Sequence, residues 1–295
     1  MFGHYMGHYL VKKGRISQSS LDKIIEYQKS NPTKLGNIAV AEKLLTEKQA
    51  DEINDLQKKL DQRFGVIAVA KGYLLTEEVN YLLNKQGNHF INFVQAMSDN
   101  NIMTIEEIEH ELENFQNEGD YSLDDMEALK SGNIDRIIPL FIDPYVPYTS
   151  DCISLTVRNI IRFINNEIIL NPYYKTKEYD FGNIAFQHLE GNQSLFVGLA
   201  SKGNELLSVA EPFAKEKFMN LNEDSFDAVC EFINCNNGLY VSKLSEEDIH
   251  VDMLPPLFDS NKKIVSNGDI FVLPILIDGG MVDLIVAVNC PISIE

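Results

Sequence analysis

Asp227-Ala-Val-Cys-Glu231-Phe-Ile-Asn234, with Gly238 four residues further on, decides how the second half of this chain is read. The two acids and the carboxamide stand at i, i+4 and i+7, so on a helix they stack on one face. At about 100° per residue, Asp227, Glu231, Asn234 and Gly238 fall within roughly 60° of one another. Phe226, Val229, Cys230 and Ile233 fill an adjacent apolar stripe. The pattern predicts a helix over 224–236, capped by Asn222, with a core side and a narrow polar stripe. Glu offers a charge and Asn both a donor and an acceptor, so the stripe can act chemically on a partner. Polar helix faces are ordinarily just solvated, but two details set this one apart. Asn competes for the backbone and disfavours a helix interior. Gly238 reads as a helix end or a close approach on the same face.

The 295 residues are 44% hydrophobic and 9% aromatic, enough for ordinary cores in two domains. A net charge of -19 argues against nonspecific nucleic-acid or anionic-membrane binding and leaves proteins and small ligands as partners. The most apolar stretch, 270–291, is broken by Pro274, Asp278, Gly279, Gly280 and Asp283. It reads as two buried strands joined by a Gly279-Gly280 hairpin, not as a membrane span. No secretory leader pattern opens the sequence. Cys152, Cys230, Cys235 and Cys290 are scattered without CxxC spacing. A reduced, cytoplasmic protein without a zinc site is expected. His4 and His8 stand at i, i+4 but lack a nearby carboxylate or Cys, so no metal site is expected there either.

The first part of the chain repeats itself. Gly7, Gly36 and Gly65 each open an apolar run, and about ten residues later come Ile16-Ser17, Leu45-Thr46 and Leu75-Thr76, each with a candidate capping hydroxyl. The helices that follow close near Gln28, Gln57 and Gln86, and a weaker fourth copy runs from Met103-Thr104 to Gln116. Units of 28 to 30 residues need neighbours to bury their apolar faces. The expected fold class is therefore α+β. It comprises an all-α repeat domain over 1–116, an acidic linker over 117–135 with a helix near 123–129, and an α/β domain over 136–295. In the last, 150–169, 205–219 and 224–236 read as helices. Residues 181–186, 194–199, 249–254, 270–277 and 281–289 read as strands, with a turn at Glu190-Gly191-Asn192.

The C-terminal domain resembles the CheC/CheX family of chemotaxis phosphatases. That family's active helix carries Asp or Ser, three residues, Glu, two residues, Asn, with a Gly four later and a Pro some twenty residues on. Asp227, Glu231, Asn234 and Gly238 match this pattern, and Pro255 or Pro256 fills the last place. CheC-type members carry a second Glu/Asn pair on the first helix. Here Asn159 is present, but Thr156 stands where the Glu would be, so one site per chain is expected, as in homodimeric CheX-like members.

The repeats resemble the cyclic-di-GMP-binding domain found before type II secretion and type IV pilus ATPases, whose unit opens on Arg-Leu-Gly. Lys34-Leu35-Gly36 and Arg63-Phe64-Gly65 follow it in outline, which makes Lys34, Gly36, Arg63 and Gly65 candidate ligand residues. The arginine survives only as Arg63, with Lys34 and Met6 in the other copies, and Lys cannot present arginine's planar fork.

The resemblance implies hydrolysis of the aspartyl-phosphate of a CheY-like response regulator in chemotaxis or motility signalling. Asn234 would place the water and Glu231 would pair with the regulator's lysine. Asp227, Gly238, Pro255 and Pro256 would support the helix or the interface. The enzyme would need no cofactor of its own, because Mg²⁺ would sit on the regulator. The competing expectation is a non-catalytic dimeric docking module, or a cyclic-di-GMP effector, in two-component, pilus or secretion signalling.

Overall fold

The computed structural model describes residues 2–30, 35–60, 64–86, 89–143 and 145–295. The chain divides into two compact units, Met1–Asn133 and Ile134–Glu295. Among the described residues no helix is long and apolar enough to cross a membrane.

In the first unit, short and long helices alternate. They are α1 (Phe2–Lys12), α2 (Gln18–Ser30), α3 (Leu35–Ala41), α4 (Glu47–Leu60), α5 (Phe64–Ala70), α6 (Thr76–Gln86), α7 (His89–Asp99) and α8 (Ile105–Glu118). Glycine lets the first and third pairs close up, while a Cβ on Gly36 would be tightest against Phe64, at 3.0 Å, and only in ordinary contact with its own long helix. A Cβ on Gly7 would lie 2.2 Å from Leu21 Cδ1, one on Gly36 would lie 3.4 Å from Ala50 Cβ, and one on Gly65 would lie 2.5 Å from Val79 Cγ1. Each glycine meets the residue 14 positions on, so its short helix can press against the long helix of its own unit. Gly36 and Gly65 thus face a packing partner, while Lys34 and Arg63 lie outside the described residues. In the fourth unit the equivalent pair is Val94 and Ile108. There a mainly apolar cleft of about 410 Å³ is lined by both side chains together with Phe90 and Leu112.

The capping positions repeat every 29 residues: Ser17, Thr46, Leu75 and Thr104. Thr46 and Thr104 cap the N–H groups of Gln49 and Glu107 at 3.3 and 3.2 Å, and Ser17 caps Ser20 at 3.1 Å. Thr76, expected as the third cap, is instead the first residue of α6. Leu75 holds the cap position with no hydroxyl, and only the returning carboxylate survives, with Leu75 N–H donating to Glu78 at 2.7 Å.

The stretch expected as a linker is structured. Ser122 and Asp125 form a capping box for α9 (Leu123–Ser131), which buries Met126, Ala128 and Leu129 and ends at the left-handed Gly132. This helix packs on α1 and α7, and the boundary falls after it, at 133/134.

The second unit contains α10 (Ile134–Phe141), α11 (Thr149–Phe163), β1 (Ile169–Leu170), β2 (Tyr174–Gly191), β3 (Leu195–Ser201), α12 (Leu207–Ala214), α13 (Glu223–Glu246), β4 (Val251–Met253), β5 (Leu257–Ile277), β6 (Gly280–Val288) and β7 (Ile292–Ile294). Every strand pairing is antiparallel, in the order β1-β5-β6-β3-β2-β4, with β2 and β5 also paired directly. The hairpin residues shift by one from expectation. Asp278 and Gly279 take the turn, with φ of 48° and 79°, and Gly280 already pairs with Ile277. All of β3 is buried, and α11 and α13 pack on the sheet through β6, β2 and β3. That packing places the outer face of α13 beside the ends of β4 and β5.

Candidate functional site

The start of α13 is fixed by Asn222. Its side chain accepts from Ser225 N–H at 3.0 Å, while Ser225 Oγ accepts from Asn222 N–H at 2.7 Å. Phe226, Val229, Cys230, Ile233, Tyr240 and Leu244 are buried. This apolar stripe turns Asp227 and Glu231 out to solvent and leaves Asn234 half-buried at the edge. A groove of about 330 Å³ runs beside them, lined by Asp227, Cys230, Glu231, Pro256, Leu257 and Phe258. Phe258, in its wall, stacks on Phe226 at 4.6 Å. Leu254, Leu257 and Phe258 give the acids an exposed apolar rim. Of the two prolines, Pro256 lines the groove and Pro255 is exposed.

The thiols nearby are not nucleophiles. Burial pushes Cys230 up to about 11, with the Asp227 charge adding to it. Cys235 is also raised, by burial first and then by Glu231, whose carboxylate accepts from its Sγ at 3.6 Å. Both stay protonated at neutral pH, which removes thiolate chemistry from the face. Among the described residues no three His, Cys, Asp or Glu side chains cluster as metal ligands would.

Behind the stripe lies a polar network that sequence reading passes over. Asn234 Oδ1 accepts from Gln187 Nε2 at 2.9 Å, and the same nitrogen donates to the Leu254 carbonyl at 2.7 Å. Gln187 Oε1 accepts from Asn237 at 2.9 Å. Asn236 donates to Asn237 at 3.2 Å and to Thr156 at 3.0 Å, and accepts from Asn159 at 2.8 Å. All five of these supporting residues are at most 2% exposed. The expected strand stopped at Phe186, one residue short of Gln187. The available signal was its parity, since Gln187 shares a face of β2 with the buried Ala185 and Leu189. Thr156 and Asn159, weighed above as a second surface pair, are interior and bonded to Asn236, so α11 carries no second exposed pair.

Gly238 is a correction. It does not end the helix, which continues eight residues further to Glu246. Three asparagines and a glycine are poor helix formers, but the buried partners of Asn236 and Asn237 offset that. A Cβ at 238 would meet only Met253 Sδ, at 3.9 Å. Gly238→Ala is therefore expected to raise stability by about 0.5–1 kcal/mol, read as a higher urea midpoint for the second unit.

No family model and no curated protein matches this chain. Solved structures do. A chemotaxis protein CheX from Desulfovibrio desulfuricans is 13% identical, with 49% of this chain and 100% of that one covered and a TM-score of 0.43. A CheC-like superfamily protein from Shewanella sp. PV-4 is 17% identical over 49% of this chain and 98% of its own, with a TM-score of 0.44. A CheX-CheY-BeF3-Mg complex from Borrelia burgdorferi is 14% identical over 48% and 98%, with a TM-score of 0.39.

Proposed function

We propose that the second unit hydrolyses the aspartyl-phosphate of a CheY-like response regulator. The observation that carries this reading is the pairing on α13: Glu231 is exposed to solvent, and Asn234, one turn on, is held from behind. An acyl phosphate is already reactive, so the catalyst mainly has to place a water in line with phosphorus. The water oxygen forms the new P–O bond as the bond from phosphorus to the aspartyl oxygen breaks. The products are the free carboxylate and inorganic phosphate, which takes the water's proton. Asn234 holds that water through its outward amide, and the second lone pair of Oδ1 can accept from it. Glu231 anchors the regulator's lysine, and Asp227, one turn earlier, adds negative charge to the same edge of the groove. The Mg²⁺ belongs to the regulator. The apolar rim at Leu254, Leu257 and Phe258 gives the docked partner a dry contact beside the charges.

The test is the rate of phosphate loss from a phosphorylated CheY-type regulator of the same organism, with and without the full chain. Acceleration is expected, and its absence with every cognate regulator would overturn the reading in favour of a docking module. Glu231→Ala should raise the KM for the regulator about 10- to 100-fold, as loss of a desolvated charge pair does, and should also lower kcat.

A further inference from the structure

Gln187 is 1% exposed and its hydrogen bonds have only one self-consistent arrangement. Leu254 O is a backbone carbonyl and can only accept, so the end of Gln187 that faces it, 2.7 Å away, is the amide. Leu254 itself is fixed. Its N–H donates to His188 O at 3.0 Å, extending the β4–β2 pairing, and the proline that follows restricts it to extended backbone. The amide of Gln187 also faces Asn234, which must therefore present its oxygen.

The far end of the network gives the same answer independently. Thr156 donates its hydroxyl proton to Cys152 O at 2.8 Å, so its oxygen accepts from Asn236 Nδ2. That nitrogen also reaches Asn237 Oδ1, which turns Asn237 Nδ2 toward Gln187 Oε1. Two backbone carbonyls, one at each end, set the direction of every amide between them.

We infer that Gln187 is the positioning residue for Asn234, holding its carboxamide in one orientation with the NH₂ outward before any partner docks. The inference rests on the proposed phosphatase reading for its kinetic consequence, but not for its structural one. A free asparagine at the surface would present nitrogen and oxygen alternately. This one offers the donor continuously, so no reorganisation is needed when the phosphoryl group arrives.

The test variant is Gln187→Glu in the full chain. A carboxylic acid has one proton where the amide has two. Given to Leu254 O, that proton leaves the oxygen facing Asn234 able only to accept, and Asn234 must turn its nitrogen inward. The first readout is the side-chain NH₂ signals of Asn234 in ¹⁵N–¹H spectra, assigned by their loss in Asn234→Ala. In the wild type they should exchange with solvent as an exposed amide does, and in Gln187→Glu they should become protected. The second readout is kinetic: kcat should fall about 10- to 100-fold with the KM for the regulator unchanged, a split that general destabilisation does not produce. Protected Asn234 NH₂ protons in the wild type would overturn the inference without any variant having to fold. So would a folded Gln187→Glu protein with the wild-type exchange pattern and kcat. A wild-type chain that dephosphorylates no regulator would sink the phosphatase reading alone, and the exchange measurement would still decide the role of Gln187.

Discussion

Asn234→Ala is expected to lower the kcat for regulator dephosphorylation by at least about 100-fold, the usual cost of removing one preorganised donor from a reacting centre. Docking should remain measurable, because Glu231, Asp227 and the apolar rim are untouched. The variant should fold. Asn234 is half-buried, and after its removal Gln187 Nε2 keeps the Leu254 carbonyl and can take a water in place of Oδ1. The loss therefore belongs to the chemistry rather than to the scaffold. Two measurements on the same preparation separate these: phosphate release from the phosphorylated regulator, and the Kd for the regulator loaded with a phosphoryl mimic. A collapsed kcat with the Kd kept within a few-fold establishes Asn234 as the water-positioning group. Unchanged turnover would remove the catalytic assignment from α13 altogether.

The outline of the fold was readable because its signals are local. The cap at Asn222, the stripe Phe226–Val229–Cys230–Ile233 and the repeating glycines at 7, 36 and 65 each report on neighbours within one or two turns, or on the 29-residue period. The misreadings came where tertiary partners outweigh local preference. The helix reads as stopping at residue 236, with Gly238 as its end or a close approach, since glycine costs helix stability on its own. The helix continues because β2 and α11 supply hydrogen-bond partners that no local pattern reveals. The acidic stretch 117–135 read as a linker because its few apolar residues form no long period. Met126, Ala128 and Leu129 still suffice to hold α9 on the first unit. Leu75 was passed over because Thr76 beside it carries the expected hydroxyl, and one position decides whether that group can reach the helix. The exposed half of the site was legible as residue types at helical spacing. The half that orients it, from Gln187 to Thr156, was not, because its members come from three elements and meet only in the folded core.

That core makes the second large prediction. Asn237 is 0% exposed, and both ends of its carboxamide are used, one by Gln187 and one by Asn236. In Asn237→Ala, Gln187 Oε1 loses its donor in a space closed to water. Asn236 Nδ2 loses one of two acceptors but keeps Thr156. Each buried polar group left unpaired costs about 1–3 kcal/mol, and the lost packing adds to this. Alanine recovers about 0.7 kcal/mol of helix propensity. The net expectation is a loss of about 2–4 kcal/mol, a large fraction of what a domain of this size has in reserve. The unfolding probe must report on the second unit, because the two units need not unfold together. The chain has no Trp, so resolved amide signals from α13 serve better than fluorescence. If the network acts as a unit, Gln187→Leu combined with Asn237→Leu should cost less than the sum of the two single changes, by about 1 kcal/mol or more. Each single change strands a partner that the double change removes. A cost for Asn237→Ala below about 0.5 kcal/mol, within the range of ordinary surface substitutions, would mean the interior amides are not what carries the helix past residue 236. The orientation of Asn234 would stand apart from that result, because the Leu254 carbonyl sets it through Gln187.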